Sequence, residues 1–423
     1  MNRPRRAGSA SGGTLSAAAV VSGAVAAAAA VSAAVVPAGA VLAAAGPAAL
    51  RPVARVPAVS SRPAIALTTS AVTISAATAS VSAPRPAGAP AGWRMVSTDH
   101  YGSASNASGY SAVATPGKND AWVFGGTNPG EASGPTAQHW TGHRWQAVAL
   151  PRGLGSFISG ASASSPGNVW AISSFGGYAL RWDGISWSVA RRWRQGAEAT
   201  SVTAISPTDV WLFGAPGHGQ QGAGTWHFDG HSWIRITGRG SAIYRASALS
   251  GHAIWAITAD ARGGSVEHWA GHGWDRVRTG SALAGTELDD VLAGSPDSVW
   301  VVGDSPASAE DGRVVLAHWN GRTWRRTEAR GRAMPRRLVA DGHGGVWVAA
   351  VTFGAQTESR LLHLSRSGRW TQVDIARGLG NAVSDLALIP GTTSLWGSGG
   401  FLTKAGGDAA IWLYGTGRTG AHR

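Results

Sequence analysis

The residues best suited to chemistry in this sequence are arginines, which gather in two short stretches. In the first, Arg191-Arg192-Trp193-Arg194, an indole ring lies among three cations. Aromatic rings and guanidinium groups together can stack on saccharides and pair with their acidic groups. Arg191, Arg192, Trp193 and Arg194 are therefore predicted ligand contacts. Trp193 could equally extend a strand, which would make it a packing residue.

The second stretch runs from Arg322 to Arg337 and holds seven arginines and one glutamate. A guanidinium cluster of this density suits a sulfated, phosphorylated or uronic polymer. The alternative interpretation is a solvated surface whose charges pair with nearby acids such as Asp304, Glu310 and Asp311. The predicted anion contacts of this stretch are Arg330, Arg332, Arg336 and Arg337.

The elements that must position these residues are indicated by a tryptophan repeat. An aliphatic residue followed by Trp recurs seven times, at intervals of 41 to 49 residues, and several copies follow a Ser-Pro turn. Units of this length with four strands each are typical of propeller blades. The seven tryptophans predict seven blades, and they occupy the second strand of each: Trp122, Trp170, Trp211, Trp255, Trp300, Trp347 and Trp396.

A second motif, W-x-G-x-x-W, predicts the hairpin between strands three and four of each blade. Asn-Gly and Asp-Gly favour a two-residue type I′ turn. With Asn320-Gly321 as that turn, Trp319 would face Arg322 and lie diagonal to Trp324. The motif and its variants supply the remaining aromatic pairs: Trp140 and Trp145, Trp182 and Trp187, Phe228 and Trp233, Trp269 and Trp274, and the looser Leu364 and Trp370.

The repeat pattern predicts no fourth strand for the last blade at the end of the sequence, and it predicts the missing strand at the other end. The segment Gly92-Trp93-Arg94-Met95-Val96 is similar to Gly273-Trp274-Asp275-Arg276-Val277. We therefore expect residues 91–98 to complete blade seven and close the ring, which leaves no sheet edge there unpaired. Trp193, Trp226 and Trp412 lie outside the predicted columns.

Loop lengths predict which face of the disc binds a ligand. The connections from strand one to two and from three to four are tight, whereas those from two to three and from four to one are long, Glu328–Arg337 among them. The two long sets emerge at the same face, and rigid scaffolds bind through such loops. The central strands themselves are expected to consist of Ala, Val and Ser.

The sequence offers no catalytic or metal-binding pattern. It has no Cys, and H-E-x-x-H, G-x-S-x-G and phosphate-loop patterns are absent. Five histidines recur beside the strand-three aromatic column, but equivalent positions on separate blades lie too far apart to converge on one ion. We expect packing histidines, no metal, no cofactor and no catalytic residue. The five are His139, His227, His268, His318 and His363.

The net charge of +13 does not by itself indicate nucleic acid. Residues 1–90 hold seven Arg and no acidic residue, so about half of that charge belongs to them. An uncharged run, residues 15–36, follows three early arginines and precedes a small-residue motif typical of signal cleavage. Residues 1–40 are predicted to be a signal peptide or a membrane anchor, with a disordered tail as the remaining alternative. Residues 41–90, rich in Ala, Ser and Pro, are predicted to be a disordered linker.

The unit from Gly167 to Trp187 resembles tectonin-type propeller lectins, whose blades combine a V-W strand with a W-x-G-x-x-W hairpin. The wider plan, S-P-x-D-V-W followed by H-W-x-G-x-x-W, is similar to exported repeat propellers of actinobacteria. The resemblance covers residues 91–423 and implies a seven-bladed β-propeller that binds microbial surface glycans. It carries over no fixed set of sugar contacts. The Asp-box of sialidase-type propellers needs Asp where this chain has Trp319, and it is not assigned.

These observations predict an all-β, seven-bladed propeller that is exported or held at the cell surface. We expect it to be monomeric and to bind a glycan or a protein through its loop-rich face without catalysis. Nucleic acid is not an expected partner, and contact with a membrane is expected only through the N-terminal segment. The alternatives are a propeller hydrolase or lyase acting on an anionic polysaccharide, and a structural protein of the cell envelope.

Overall fold

The computed structural model describes residues 92–415 except 100–107, 128–133, 156, 175, 195–196, 216–220, 238–241, 259–263, 306–312, 353–357, 376–381 and 404–405. These residues form seven four-stranded antiparallel sheets, a two-stranded parallel pair and one short 3-10 helix, Gly280–Leu283. The predicted signal or anchor and linker, residues 1–90, lie outside the described residues. Among the described residues, no helix is long and apolar enough to cross a membrane.

The seven sheets are the predicted blades, and successive inner strands contact one another around a closed ring. From the axis outward, blades 1 to 3 consist of β2 (Ser108–Gly117), β3 (Asp120–Thr127), β4 (Pro135–Trp140) and β5 (Trp145–Ala147); β6 (Gly160–Ser165), β7 (Asn168–Ser173), β8 (Tyr178–Trp182) and β9 (Trp187–Arg192); and β11 (Ser201–Ser206), β12 (Asp209–Phe213), β14 (Thr225–Phe228) and β15 (Trp233–Ile236). The parallel pair is β10 (Ala197–Glu198) with β13 (Gln221–Gly222).

Blades 4 to 6 follow the same plan: β16 (Ile243–Ser250), β17 (Ala253–Thr258), β18 (Ser265–Trp269) and β19 (Trp274–Arg276); β20 (Glu287–Ser295), β21 (Ser298–Asp304), β22 (Arg313–Trp319) and β23 (Trp324–Arg332); and β24 (Met334–Ala340), β25 (Val346–Thr352), β26 (Glu358–Leu364) and β27 (Trp370–Asp374). Blade 7 consists of β28 (Ala382–Leu388), β29 (Leu395–Thr403), β30 (Gly406–Gly415) and, outermost, β1 (Gly92–Asp99).

The predicted ring closure is confirmed by β1, which pairs antiparallel with β30. The pairing runs from Gly92 opposite Gly415 to Asp99 opposite Ala409. Trp93 lies opposite Tyr414, and its ring packs edge-on against Trp347 of blade 6. Backbone pairing thus places β1 in blade 7, and its Trp93 packs against the preceding blade as the hairpin tryptophans of other blades do.

The tryptophans hold neighbouring blades together in a repeated arrangement. The strand-two Trp of one blade contacts the hairpin aromatic pair of the next: Trp122 has its ring centre 5.0 Å from that of Trp182 and 5.2 Å from that of Trp187. The same arrangement closes the ring, where Trp396 of blade 7 lies 5.4 Å from Trp140 and 5.1 Å from Trp145 of blade 1. Burial of these large rings supplies an inter-blade core without Cys.

The predicted register of the W-x-G-x-x-W hairpin is wrong. Trp319 pairs directly with Trp324, rather than with Arg322, and the ring centres lie 5.7 Å apart. Four residues form the loop, because the Asn320 Oδ1 accepts the N–H groups of Arg322 and Thr323 and organises a wider turn than type I′. Gly321 supplies the positive φ that this loop needs, at 86°.

The disc has one face of tight turns, which connect strands one to two and three to four, and an opposite face with the other connections. We call the second the loop-rich face, although parts of its two-to-three connections lie outside the described residues. The prediction of a long loop over Glu328–Arg337 is wrong. β23 continues to Arg332 and β24 begins at Met334, with Ala333 alone between them.

Candidate binding site

The inner strands of four consecutive blades carry charged residues at one equivalent position, close to the loop-rich end of the axis. Arg245, Asp290 and Arg337 each stand ten residues before the strand-two Trp of their blade, and Asp385 stands eleven before. The sign of the charge alternates from blade 4 to blade 7. We call these four residues the charged row. The expectation that the central strands contain only Ala, Val and Ser is therefore wrong for these blades.

Arg337 connects the two carboxylates of the charged row. Its Nε lies 2.7 Å from Asp385 Oδ1, and its Nη1 lies 3.6 Å from Asp290 Oδ2. The side chains of Asp290 and Asp385 are only 3% and 8% exposed. Burial raises the pKa of Asp385, while the Arg337 guanidinium opposes that increase. The ion pair therefore offsets part of the cost of burying the carboxylates.

Each of these carboxylates also joins its blade to the next. Asp290 Oδ2 accepts the backbone N–H of Leu338 in blade 6 at 2.9 Å, and Asp385 Oδ2 accepts that of Val113 in blade 1 at 2.9 Å. These bonds need the aspartates close to the axis. The register of β20 and β28 shifts immediately before Asp290 and Asp385, which displaces the strand locally.

The residue before each member of the charged row forms a second layer: Tyr244, Asp289, Arg336 and Ser384. Asp289 is 8% exposed, and its Oδ2 has no hydrogen-bond partner among the described residues. Burial raises the pKa of Asp289 well above its usual value, and the carboxylate of Asp304 adds to the increase, whereas Arg336 opposes it. Burial likewise lowers the pKa of Arg336.

Blades 1 to 3 place hydroxyl groups where blades 4 to 7 place the second layer. The Ser111 Oγ donates to Ile158 O of the next blade, and Thr200 Oγ1 donates to Ile243 O at 3.1 Å. Ser159 reaches blade 3 through Ser174, whose Oγ donates to Ala199 O at 2.7 Å. We call the loop-rich end of the seven inner strands, with the charged row and the second layer, the channel mouth. Its half formed by blades 1 to 3 carries neutral hydroxyl groups, and its half formed by blades 4 to 7 carries the charged row. It is at this loop-rich end of the inner strands that we place the candidate site.

Two carboxyl groups stand directly opposite one another at the loop-rich end of blade 5. Glu287 and Asp304 are paired residues of neighbouring strands, an arrangement that destabilises a sheet when both are ionised. Burial raises the pKa of Asp304 to about 6, and the Glu287 charge adds to the effect. Because the folded protein holds this proton more tightly than the unfolded chain, Asp304 costs stability as the pH rises through about 4 to 6.

Replacing Asp304 by Asn is therefore expected to raise the melting temperature at pH 7.5 and to leave it nearly unchanged at pH 4. At the lower pH the wild-type carboxyl is protonated in the folded state, so Asn changes little. Thermal melts at the two pH values would measure the difference. Asp275, an exposed acid on β19, gives the control variant Asp275→Asn, which should show no such pH-dependent gain. An equal gain from D304N at both pH values would contradict the assignment.

The structure places only two of the predicted ligand contacts at the loop-rich end of the inner strands. Arg336 and Arg337 lie on the inner strand β24, whereas Arg330 and Arg332 lie on the outer strand β23 of blade 5. The second arginine stretch is therefore two groups at opposite edges of their blades. On the same outer strand, Glu328 pairs with Arg326 at 2.8 Å and with Arg313 of the neighbouring strand β22 at 3.4 Å.

The first arginine stretch lies at the outer edge of blade 2. The Arg191 guanidinium lies 3.6 Å from the ring centre of Trp226 in blade 3 and 5.9 Å from that of Trp193. Trp193 is partly buried in the apolar cluster between these blades, while Arg192 and Arg194 are exposed. Arg191 thus takes part in a cation–π contact between blades. The two tryptophans outside the repeat columns here, Trp193 of blade 2 and Trp226 of blade 3, are therefore both near the Arg191 guanidinium.

Each of the five histidines packs against the strand-two tryptophan of its blade; four rings are stacked, and His268 is tilted by 40° against Trp255. His139 lies 4.0 Å from Trp122, ring centre to ring centre, and its Nε2 lies 2.9 Å from Asp120 Oδ1. His363 repeats this arrangement with Trp347 and Asp341. These are packing and hydrogen-bonding contacts, as expected. Across the described ranges, no group of three or more His, Cys, Asp or Glu is placed to hold a metal ion.

The fold and this axial arrangement define the class of protein: a seven-bladed β-propeller with a charged channel mouth. No protein-family model and no curated protein matches the chain. Solved propellers do share its fold. It is similar to YCF48 bound to D1 peptide, with 13% identity, a TM-score of 0.52, and coverage of 78% of this chain and 98% of that one. YCF48 from Cyanidioschyzon merolae gives 14% identity, a TM-score of 0.51 and coverage of 76% and 98%.

The WD40 propeller domain of Doa1 is a further structural neighbour, with 10% identity and a TM-score of 0.54 over 78% of this chain and all of that one. At these identities the likeness shows the fold alone.

The charged row was missed at the sequence level, although a signal for it exists. Aligning the units on the strand-two Trp would have placed Arg245, Asp290 and Arg337 in one column with alternating sign. The density of arginines along the chain instead predicted a site within Arg322–Arg337.

Proposed function

We propose that this propeller is a non-catalytic binding protein that holds an extended segment of a partner protein at the channel mouth on its loop-rich face. The observation that carries the proposal is the charged row. Buried ion pairs add little net stability compared with apolar packing, so their presence at one end of the axis favours a role in recognition. The hydroxyl groups of blades 1 to 3 would supply polar contacts on the other side.

The solved neighbours are compatible with this proposal. One of them, YCF48, was determined with D1 peptide bound, so a propeller of this general fold can hold a peptide. A glycan remains the other predicted ligand. Trp193, the aromatic residue behind that prediction, packs between blades 2 and 3, and the guanidinium groups of Arg191 and Arg235 both lie within 6 Å of the ring centre of the neighbouring Trp226. This arrangement favours a protein ligand over a stacked sugar.

The location of the protein follows from its N-terminal sequence only as a proposal. From residues 1–40 we propose that the protein acts outside the cell or at its surface, as a cleaved or an anchored form. A partner there would be an exported protein or a surface protein.

The proposal predicts that a bulky side chain introduced at the channel mouth blocks binding of the partner segment. Ser384 is exposed on β28, in the second layer, and Ser384→Trp would place an indole at the mouth. The full-length protein, incubated with an array of immobilised 12-residue peptides, should bind a subset that S384W no longer binds. Ile185→Trp is the matched control, because Ile185 is 85% exposed in a tight turn of the opposite face.

A glycan array probed in parallel separates the alternatives. Peptide binding that S384W alone abolishes is the expected result. Binding of glycans that both variants retain would contradict the proposal, as would the release of shortened saccharides from an anionic polysaccharide. A complete lack of S384W-sensitive peptide binding would also contradict it.

A further inference from the structure

The charged row contains one guanidinium whose hydrogen-bonding capacity is mostly unused, that of Arg245. Its Nη1 donates to Thr200 O at 3.3 Å, which is its single hydrogen bond to the described residues. The Nε is buried without a partner. Since a guanidinium has five N–H donors in a planar fork, most donors of Arg245 make no hydrogen bond to the described residues, and those on its Nη atoms, unlike the buried Nε, can meet a further acceptor.

The other arginine of the charged row shows what such a position can hold. Arg337 has two carboxylate neighbours, Asp290 and Asp385, one from each adjoining blade. Arg245 occupies the equivalent position in blade 4, but the preceding blade offers it a backbone carbonyl instead of a carboxylate. The alternating row is therefore incomplete on the blade 3 side of Arg245, where the neutral half of the mouth begins.

The charges around Arg245 also favour an incoming anion. The groups that interact with it electrostatically or by contact are Tyr244 on its own strand, Arg336 on β24 and Asp385 on β28. Asp289 of β20 interacts electrostatically with Arg336, and burial favours its neutral form, whereas Asp385 is already paired with Arg337. Guanidinium groups keep their charge under these conditions, so the balance at the mouth shifts toward positive.

We propose that Arg245 binds a carboxylate of the partner segment and so completes the alternating row of charges. The inference rests on the proposed function, of which it names the ligand chemistry. A planar carboxylate fits the guanidinium fork through two parallel hydrogen bonds, which a neutral amide cannot match. The carboxylate can belong to an Asp or Glu side chain or to the end of a chain, and the experiment distinguishes these sources.

The test uses the same 12-residue peptide array printed twice, once with free carboxyl ends and once with amide ends. Wild-type protein should bind peptides with a free end, or with Asp or Glu, in preference to neutral peptides. Side-chain recognition would retain the preference for acidic peptides on the amide array, whereas recognition of a chain end would lose all preference there. For the strongest acidic peptide in solution, converting its carboxylate to an amide should weaken binding about tenfold or more.

Arg245→Gln should remove the preference, so that acidic and amide forms of a peptide bind equally weakly. Arg245→Lys, which keeps the charge but not the fork, should restore part of it. Arg322→Gln is the matched control, because Arg322 is an exposed arginine in a hairpin of the opposite face. Thermal melts establish that all three variants are folded.

Two outcomes would overturn the inference while leaving the proposed function in place. If wild-type protein shows S384W-sensitive binding without any preference for carboxylates, the binding function stands and the role of Arg245 is wrong. If the preference exists but R245Q retains it, another residue reads the carboxylate. Absence of all S384W-sensitive binding would instead remove the proposed function together with this inference.

Discussion

Protein lacking residues 92–99 is expected to melt at a far lower temperature than the full chain, or to be recovered unfolded. These residues form β1, which supplies the outer strand of blade 7 and the ring of Trp93. Trp93 contacts Tyr414 within its blade and Trp347 of blade 6. Deletion would expose the edge of β30 and open the interface between blades 6 and 7, so both closure and apolar burial are lost.

A single substitution separates the contribution of the ring from that of the strand. Trp93→Ala should lower the free energy of unfolding by about 3 kcal/mol, the lower end for a large aromatic, because Trp93 is partly buried against the apolar cluster between blades 6 and 7. Met95 lies on the same strand and is 40% exposed, so Met95→Ala should cost under about 1 kcal/mol. Chemical denaturation measures both. Similar melting of the deleted and full-length proteins would contradict closure by β1.

Replacing Arg337 by Met is expected to have the second largest effect, because it leaves Asp290 and Asp385 buried without their cation. Removing one partner of a buried ion pair costs about 3–5 kcal/mol. The loss should be greater at pH 7.5 than at pH 4, since removal of Arg337 raises the pKa of Asp385 further and protonation relieves the cost of its burial. Denaturation at the two pH values would measure it.

Two further variants establish the cause of that loss. Adding Asp290→Asn and Asp385→Asn to Arg337→Met should recover part of the stability at pH 7.5, because neutral amides cost less to bury than unpaired carboxylates. Arg313→Met is the matched surface control. Arg313 is 63% exposed and pairs with Glu328 at 3.4 Å, so its loss should cost under about 1 kcal/mol. An equal effect of R337M at both pH values would contradict the electrostatic explanation.

The blade number and the closing strand were predictable because tryptophan is large and its spacing is regular. Each strand-two Trp must meet the hairpin pair of the next blade, so the distance between successive units is limited by the size of one blade. Trp122 with Trp182 and Trp187 illustrates this constraint. A similar segment around Trp93 could then be assigned to the one blade that lacked a strand.

The hairpin register was not predictable from Asn-Gly alone. The dipeptide favours a two-residue turn, but side-chain hydrogen bonds from Asn320 and the gain from pairing Trp319 with Trp324 favour the four-residue loop. Thr141 and Ala270 occupy the Asn320 position in other blades, and their hairpins close in the same register. The pairing of the two tryptophans therefore outweighs the local turn preference.

The candidate site was only half predictable, because charge along a sequence does not show where a strand ends. Arg330, Arg332, Arg336 and Arg337 follow one another closely, yet Ala333 separates an outer strand from the inner strand of the next blade. Arg245 stood alone among apolar residues and gave no such signal. Its neighbours across the axis come from blades that are far away in sequence.

The position of Gly92 has a consequence for how the protein is presented to its surroundings. Gly92 pairs with Gly415 at the tight-turn end of blade 7, whereas the chain leaves β1 for blade 1 at the loop-rich end. The described part of the chain therefore begins on the tight-turn side, opposite the loop-rich face. Joining a label or a solid support on the N-terminal side of Gly92 would accordingly leave the face with Arg245 clear of the point of joining.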